Sequence, residues 1–332
     1  MGISLPDFGR FFSKTEELSD TWAGIGLHVD GVSAVIIQRF EEPTVTNWGY
    51  EKLAEGELLS AALERLSNKL GLEDIACTTW LDEHDYQIKL TEAPEVDDGD
   101  IGQALTWQAE DIFDEIGENP VVESIEFPGQ SAGDEQVDQL YVIGASHDDV
   151  QLRSDLLFDA GMKLRCIDVA EMCQRNIAEL VSSGPRGIAT VSFTNESCLI
   201  TISKDDVLYM TRRLSVGLTE LQDSSVRTEK LEQVMIELQR SLDYYSSHLR
   251  QAPVEKIYLA PLESPVPELS EAVRTHLYLE PAEINLGRLM TWEIEMPPRL
   301  QARLFYSIGA ALRLEPMEFD EEEEPGDEDI FA

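Results

Sequence analysis

Residues Gly187–Gly217 read GIATVSFTNESCLITISKDDVLYMTRRLSVG. Apolar side chains run or alternate through Ile188 to Phe193, Cys198 to Ser203 and Val207 to Val216. Polar turn formers, Thr194-Asn195-Glu196-Ser197 and Lys204-Asp205-Asp206, divide the three pieces. That is the pattern of an antiparallel meander. The same form occurs near the start of the chain. Gly24–Arg39, GIGLHVDGVSAVIIQR, supplies a strand, a tight Asp30-Gly31 turn and a second strand, and Thr44 to Leu53 adds a third. Both meanders run on into a helix and another strand, so the chain reads as one topological half used twice.

At 332 residues and 42% hydrophobic content the chain can bury two sizeable cores, one for each half. Asp and Glu number 65 against 25 Lys and Arg, a formal net charge of -40, with nine of the acids in Glu318–Asp329. Such a field repels phosphate backbones and anionic lipid heads, which excludes nucleic acid as a partner and favours solubility in a crowded or salty cytoplasm. Cys77, Cys166, Cys173 and Cys198 lie far apart, without the spacing of a metal site, and read as thiols in a reducing compartment. No metal is expected. With no apolar run of about 18 residues and no basic leader before an apolar core, the expected address is the cytoplasm.

Residues 1–20 form a leader in which Ile3, Leu5, Phe8, Phe11 and Phe12 would gather on one side of a helical turn. It either folds back over the domain edge or touches a membrane or a partner. The first lobe takes residues 21–82, 162–184 and 299–314. It has a helix over Glu55 to Leu70, closed by Gly71, a strand over Ile75 to Leu81, and a final helix over Arg299 to Leu312. Residues 83–161 read as a separately wound βαββαβ-like insert. Its helix over Ile101 to Ile112 begins among acids that suit a helix N-terminus, and Ser146 caps a second helix ending at Gly161.

The second lobe takes residues 185–298. Leu231, Val234, Met235, Leu238, Leu242, Tyr245 and Leu249 recur there at steps of three and four and predict a helix over Thr228 to Arg250. Strands at Lys256 to Ala260 and Leu277 to Leu279 flank a short helix over Glu268 to His276. Residues 315–332, ending DEEEEPGDEDIFA, are expected to be disordered.

The order of these elements resembles the bacterial actin-like proteins, and within them the PilM and MshI family of type IV (MSHA-type) pilus assembly. The matching pieces span about Ala23 to Leu314. They are Gly24–Arg39, ALTWQAEDIF, LYVIGASHDDVQLRSDLLFDAGMKLRCIDV, VSFTNESCLITISKDDVLYMTRRLSVG and LQRSLDYYSSHLRQAPVEKIYLA. The resemblance implies an α/β, actin-like fold of duplicated RNase H-like lobes with an inserted small α+β subdomain. It also implies a cytoplasmic protein, peripheral to the inner membrane, that docks the N-terminal tail of a PilN-like inner-membrane protein and meets other pilus assembly proteins. The secretion protein GspL has a similar cytoplasmic half that continues into a membrane helix, and FtsA ends in an amphipathic helix where this chain ends in acid.

A nucleotide site of this kind needs two hairpin turns whose backbone donors hold phosphates, carboxylates for a metal, and a Gly-rich adenosine loop. His28 stands where the resemblance would put a metal-side Asp, with Asp30, Gly31 and Ser33 beyond it. Ser192 replaces a second Asp, Thr194 a Gly, and Pro261-Leu262 follows Ala260 in place of Gly-Gly. A hydroxyl cannot supply the missing charge, and a proline ring fills a spot that needs bare backbone. All three loops depart together. The expectation is therefore a non-catalytic scaffold without a cofactor. The alternative is an ATP-binding, weakly hydrolysing protein in which magnesium and ATP are held by Asp30, Gly31, Ser33 and Thr194. Leu105, Trp107 and Phe113 are candidates for gripping an extended partner peptide in a groove between the first lobe and the insert. Insert core is the other reading of these residues.

Overall fold

The computed structural model describes residues 20–40, 42–114, 116–128, 139–182 and 184–313. Nearly all of the leader and the acidic tail therefore lie outside the described residues. Strands β1 (Thr21–His28), β2 (Gly31–Gln38) and β3 (Thr44–Lys52) form an antiparallel meander. The β1–β2 register closes at His28↔Gly31, so Val29-Asp30 alone makes the turn. Both faces of this sheet are covered, which is why its first two strands read as continuous apolar runs. Helix α1 (Leu59–Leu70) covers one face with Ala62, Leu63 and Leu66 and ends at Gly71, whose φ of 69° no β-substituted residue adopts readily. Leu58, inside the span expected as helix, lies just before it and is exposed.

Strand β4 (Ala76–Trp80) pairs parallel with β1 and leads into the insert. There β5 (Tyr86–Glu92), β6 (Val121–Glu126) and β7 (Gln139–Ala145) make an antiparallel sheet in the order β5-β7-β6. The helix expected over Ile101 to Ile112 is two pieces, α2 (Ile101–Trp107) and α3 (Ala109–Ile112). They part at Gln108, where φ -90° and ψ 1° leave the helical range.

Helix α4 (His147–Asp159) starts where expected, its Ser146 cap accepting from the Asp149 amide, and its Val150 packs against the insert cluster of Tyr86 and Tyr141. Leu156 and Leu157 join the first-lobe core beside Leu63 and Leu66. Strand β8 (Lys163–Asp168) then returns to pair with β4.

Helix α5 (Ala170–Val181) was not expected as a helix, although Cys173, Ile177, Leu180 and Val181 recur at helical steps; it is buried almost all round, its polar residues included. The second meander follows as β9 (Ile188–Phe193), β10 (Cys198–Lys204) and β11 (Val207–Leu214), antiparallel throughout. Helix α6 (Leu218–Gln222), helix α7 (Arg227–Asp243), a wider turn over Tyr244–His248 and β12 (Lys256–Leu259), parallel to β9, come next. Helix α8 (Pro267–Ala272) continues as a wide turn to Leu277, and Tyr278 adopts φ 54°. That turn moves the last strand of this lobe from 277–279 to β13 (Glu280–Glu283), an edge strand that tolerates Pro281. Helix α9 (Leu286–Leu289) precedes β14 (Thr291–Trp292), which pairs with β3. Within the expected second lobe of residues 185–298, β14 thus lies against the first sheet. Helix α10 (Gln301–Ala311) is the last element of the described residues.

The two large sheets run β14-β3-β2-β1-β4-β8 and β11-β10-β9-β12-β13. Read from β3 and from β11 they are the same five-strand pattern, and β8 is followed by α5 as β13 is followed, after β14, by α10. These two helices cross each other between the sheets so closely that a Cβ on Gly309 would lie 2.2 Å from the Cys173 carbonyl oxygen.

Candidate functional site

The cleft between the lobes is bounded by two hairpin turns, Val29-Asp30 and Thr194–Ser197, and floored by α5 and α10. At the first turn, Asp30 accepts from Arg303 of α10 at 2.9 Å through each carboxylate oxygen and from the Tyr50 hydroxyl at 2.8 Å. Burial pushes the Asp30 carboxyl up, but these hydrogen bonds outweigh it and hold its pKa below the usual range. Arg303 also pairs with Glu263 at 3.1 Å, on the loop after β12, so one guanidinium joins the two lobes.

Behind this turn, His28 Nε2 lies 2.7 Å from Ser33 Oγ, and Ser33 lies 2.7 Å from Ser307 Oγ of α10. Burial lowers the His28 pKa to about 4, helped by the Arg303 charge, so the imidazole is neutral at pH 7. The Trp80 ring meets His28 edge-on on one side and lies 6.0 Å from Tyr306 on the other.

At the second turn, the amides of Glu196 and Ser197 donate to Thr194 Oγ1 at 3.1 and 2.9 Å. The hydroxyls of Thr194 and Ser197 donate in turn to the carboxylate of Glu83, which stands between β4 and the insert. Arg213 of β11 donates to the same carboxylate at 3.0 Å, and its other nitrogen reaches Glu171 at 2.9 Å and the Tyr86 hydroxyl at 2.6 Å. Tyr86 also donates to Glu171, which is fully buried on α5. Burial works against the Arg213 charge, but Tyr86 and Glu171 more than offset it and raise its pKa above the ordinary value. Ser192 donates to Gln174 at 2.5 Å and lies 2.7 Å from the Tyr306 hydroxyl.

A triphosphate needs free backbone donors and unclaimed hydroxyls at both turns. The second turn's amides serve Thr194, its hydroxyls serve Glu83, and Asp30 is held by Arg303. In the third loop Leu262 packs against the second-lobe core. The residues present do not fit the group. Among the described residues, Glu83, His84 and Glu196 bring ligand atoms within 4.8 Å of one another. However, Glu83 is already bonded to an arginine and two hydroxyls, while His84 and Glu196 face solvent.

The structure brings Asp30, Gly31 and Ser33 together at one lip of the cleft and puts Thr194 at the other. The three peptide-gripping candidates separate. Leu105 is fully buried and Phe113 nearly so, both in the insert core with Ala109 and Val142, because they face inward from the broken helix. Neither presents its side chain to a peptide. Trp107 is 78% exposed on the opposite face. Sequence reasoning missed Glu83, Arg213, Glu171, Tyr86 and Arg303. Glu83 among 65 acids carries no local signal, and the arginine that pairs with it, Arg213, is distant in sequence.

No helix among the described residues is long and apolar enough to cross a membrane. No family model and no curated protein matches the chain. Among solved structures, a chain of the PilM-PilN type IV pilus biogenesis complex superposes with a TM-score of 0.69 at 16% identity, covering 89% of this chain and 98% of that one. A protein from Bacteroides thetaiotaomicron with an actin-like ATPase fold and unknown function gives 0.48 at 11% identity, covering 91% and 99%. The cytoplasmic domain of EpsL, an inner-membrane component of the Vibrio cholerae type II secretion system, gives 0.45 at 10%, covering 86% and 94%. The duplicated lobes, the two crossed helices between them and the small insert are those of an actin-like fold, similar in architecture to the chain of the PilM-PilN complex.

Proposed function

We propose that this protein is a non-catalytic scaffold of a type IV pilus assembly machine, of the MSHA type, that docks the N-terminal tail of a PilN-like inner-membrane protein on its cytoplasmic side. The observation that carries the reading is the second hairpin turn, whose hydroxyls are taken by Glu83 and whose amides are taken by Thr194. The architecture shared with a chain of the PilM-PilN complex supports the choice of machine and partner. The acidic surface favours a partner tail with Lys or Arg around its apolar anchors, and of the three candidate residues Trp107 is the exposed one that can grip it.

Isothermal titration with ATP and magnesium tests the loss of nucleotide chemistry. The expected result is no heat at micromolar concentrations, and a Kd of about 10 μM or tighter would restore the ATP-binding alternative. Capture of a PilN-like tail by the parent and by Trp107→Ala tests the docking residue. Undiminished capture by a folded variant removes Trp107 from the site.

A further inference from the structure

We propose that the Thr194–Ser197 turn and Arg213 form an oxyanion seat whose resident ligand is the Glu83 carboxylate, so that this internal anion joins the lobes where a phosphate would otherwise do so. The inference rests on reading the cleft as one that holds no nucleotide, and it adds what occupies the seat instead. Three donors from the second lobe converge on one carboxylate. Ser197 Oγ and Arg213 Nη1 both reach Glu83 Oε2, the guanidinium at 3.0 Å, and Thr194 Oγ1 reaches Oε1 at 3.3 Å. Only 12% of the Glu83 side chain is exposed.

The seat is fixed from both sides. Thr194 is oriented by the amides it accepts from, and α6 donates through Leu218 and Thr219 to the turn carbonyls of Thr194 and Asn195 at 2.9 and 3.1 Å. Arg213 is anchored by Glu171 and Tyr86. Glu83 itself follows β4, and Arg153 of α4 holds that crossover by donating to the Trp80 carbonyl at 2.6 Å and to Asp85 at 2.9 Å. A carboxylate delivered from the first lobe thus meets donors assembled on the second. Oxygen acceptors of this kind are interchangeable in such a seat provided they carry negative charge and fit.

Chemical rescue tests the seat. Glu83→Ala leaves a hole the size of a carboxylate and strands buried hydroxyls and a guanidinium, so its Tm falls by about 4 °C. Formate or inorganic phosphate at about 100 mM, compared with chloride at equal ionic strength, restores at least half of that loss. The parent and Glu83→Gln, in which the amide fills the hole, gain nothing specific to the anion. A Glu83→Ala protein as stable as the parent overturns the proposal, and so does a loss that neither anion repairs beyond the parent's own response. Should Glu83→Ala not fold, Glu83→Gln carries the test by hydrogen exchange. Amides of residues 194–197 then exchange about tenfold faster than in the parent, whereas exchange at the parent rate overturns the seat. ATP binding by the parent would count against the proposed function alone, because the rescue is read on a variant and by anion type.

Discussion

His28 and Arg213 carry opposite lessons about buried charge. His28 keeps its hydrogen bond to Ser33 as a neutral ring, with a pKa lowered to about 4 by burial. The unfolded chain titrates it near the ordinary 6.5, so between pH 6.5 and 4 the unfolded state binds a proton that the native state refuses. Stability tied to this group is therefore complete above pH 6.5 and falls as the pH drops, by up to about 3 kcal/mol at pH 4. Denaturant midpoints measured from pH 7 to pH 4 should fall less steeply for His28→Gln than for the parent. Arg213 is the reverse case, a charge that must stay. Arg213→Met leaves Glu171 buried without a counter-charge and should cost about 3–5 kcal/mol, whereas Arg303→Met breaks the partly exposed pairs to Asp30 and Glu263 and should cost only about 1 kcal/mol, reduced in high salt. Denaturation at two salt concentrations distinguishes them, and equal losses would contradict the difference in burial.

Among the elements, the helices α5 and α10 determine how near the lobes approach. Gly24 of β1 lies against Ser307 of α10, where a Cβ would come within 1.8 Å of the carbonyl oxygen, and Gly309 meets the Cys173 backbone in the same way. Gly309→Ala should therefore push α10 off α5 and destabilise by about 3 kcal/mol, read as a lowered denaturation midpoint with β1 and β9 both exchanging faster. The strands on which this packing is built were readable from the sequence, because a two-residue turn at Val29-Asp30 and the polar turn at Thr194–Ser197 punctuate apolar runs. The helix α5 was legible only in part: Cys173, Ile177, Leu180 and Val181 in AEMCQRNIAELV keep helical spacing, but the burial of Glu171, Gln174 and Arg175 depends on partners such as Thr190, Asp206 and Arg213 that lie elsewhere in the chain. The candidate site divides the same way. Departures at His28, Ser192 and Pro261 are local and could be read, while Glu83 reaches Thr194 across 111 residues of sequence, a pairing no local pattern announces.

For the molecule as a whole, the insert acts as a brace between the lobes. Tyr86, Phe127, Tyr141 and Ala145 of the insert pack in one cluster with Val169 and Met172 at the start of α5 and with Leu208 of β11. The Tyr141 hydroxyl donates to the Tyr209 carbonyl at 3.2 Å. The apolar cluster and the Glu83–Arg213 pair lie on the same line of contact, so opening the cleft requires both to part together. Apolar contact is insensitive to salt, and the buried pair is only weakly screened, so this closure should persist at high ionic strength. Leu208→Ala removes a fully enclosed side chain at a cost of about 3 kcal/mol. If the insert and second lobe open as one unit, hydrogen exchange quickens together in β5, β7 and β11 while α7, on the far side of the second sheet, keeps its parent rate. Faster exchange confined to β11 would mean that the insert rides on the first lobe alone.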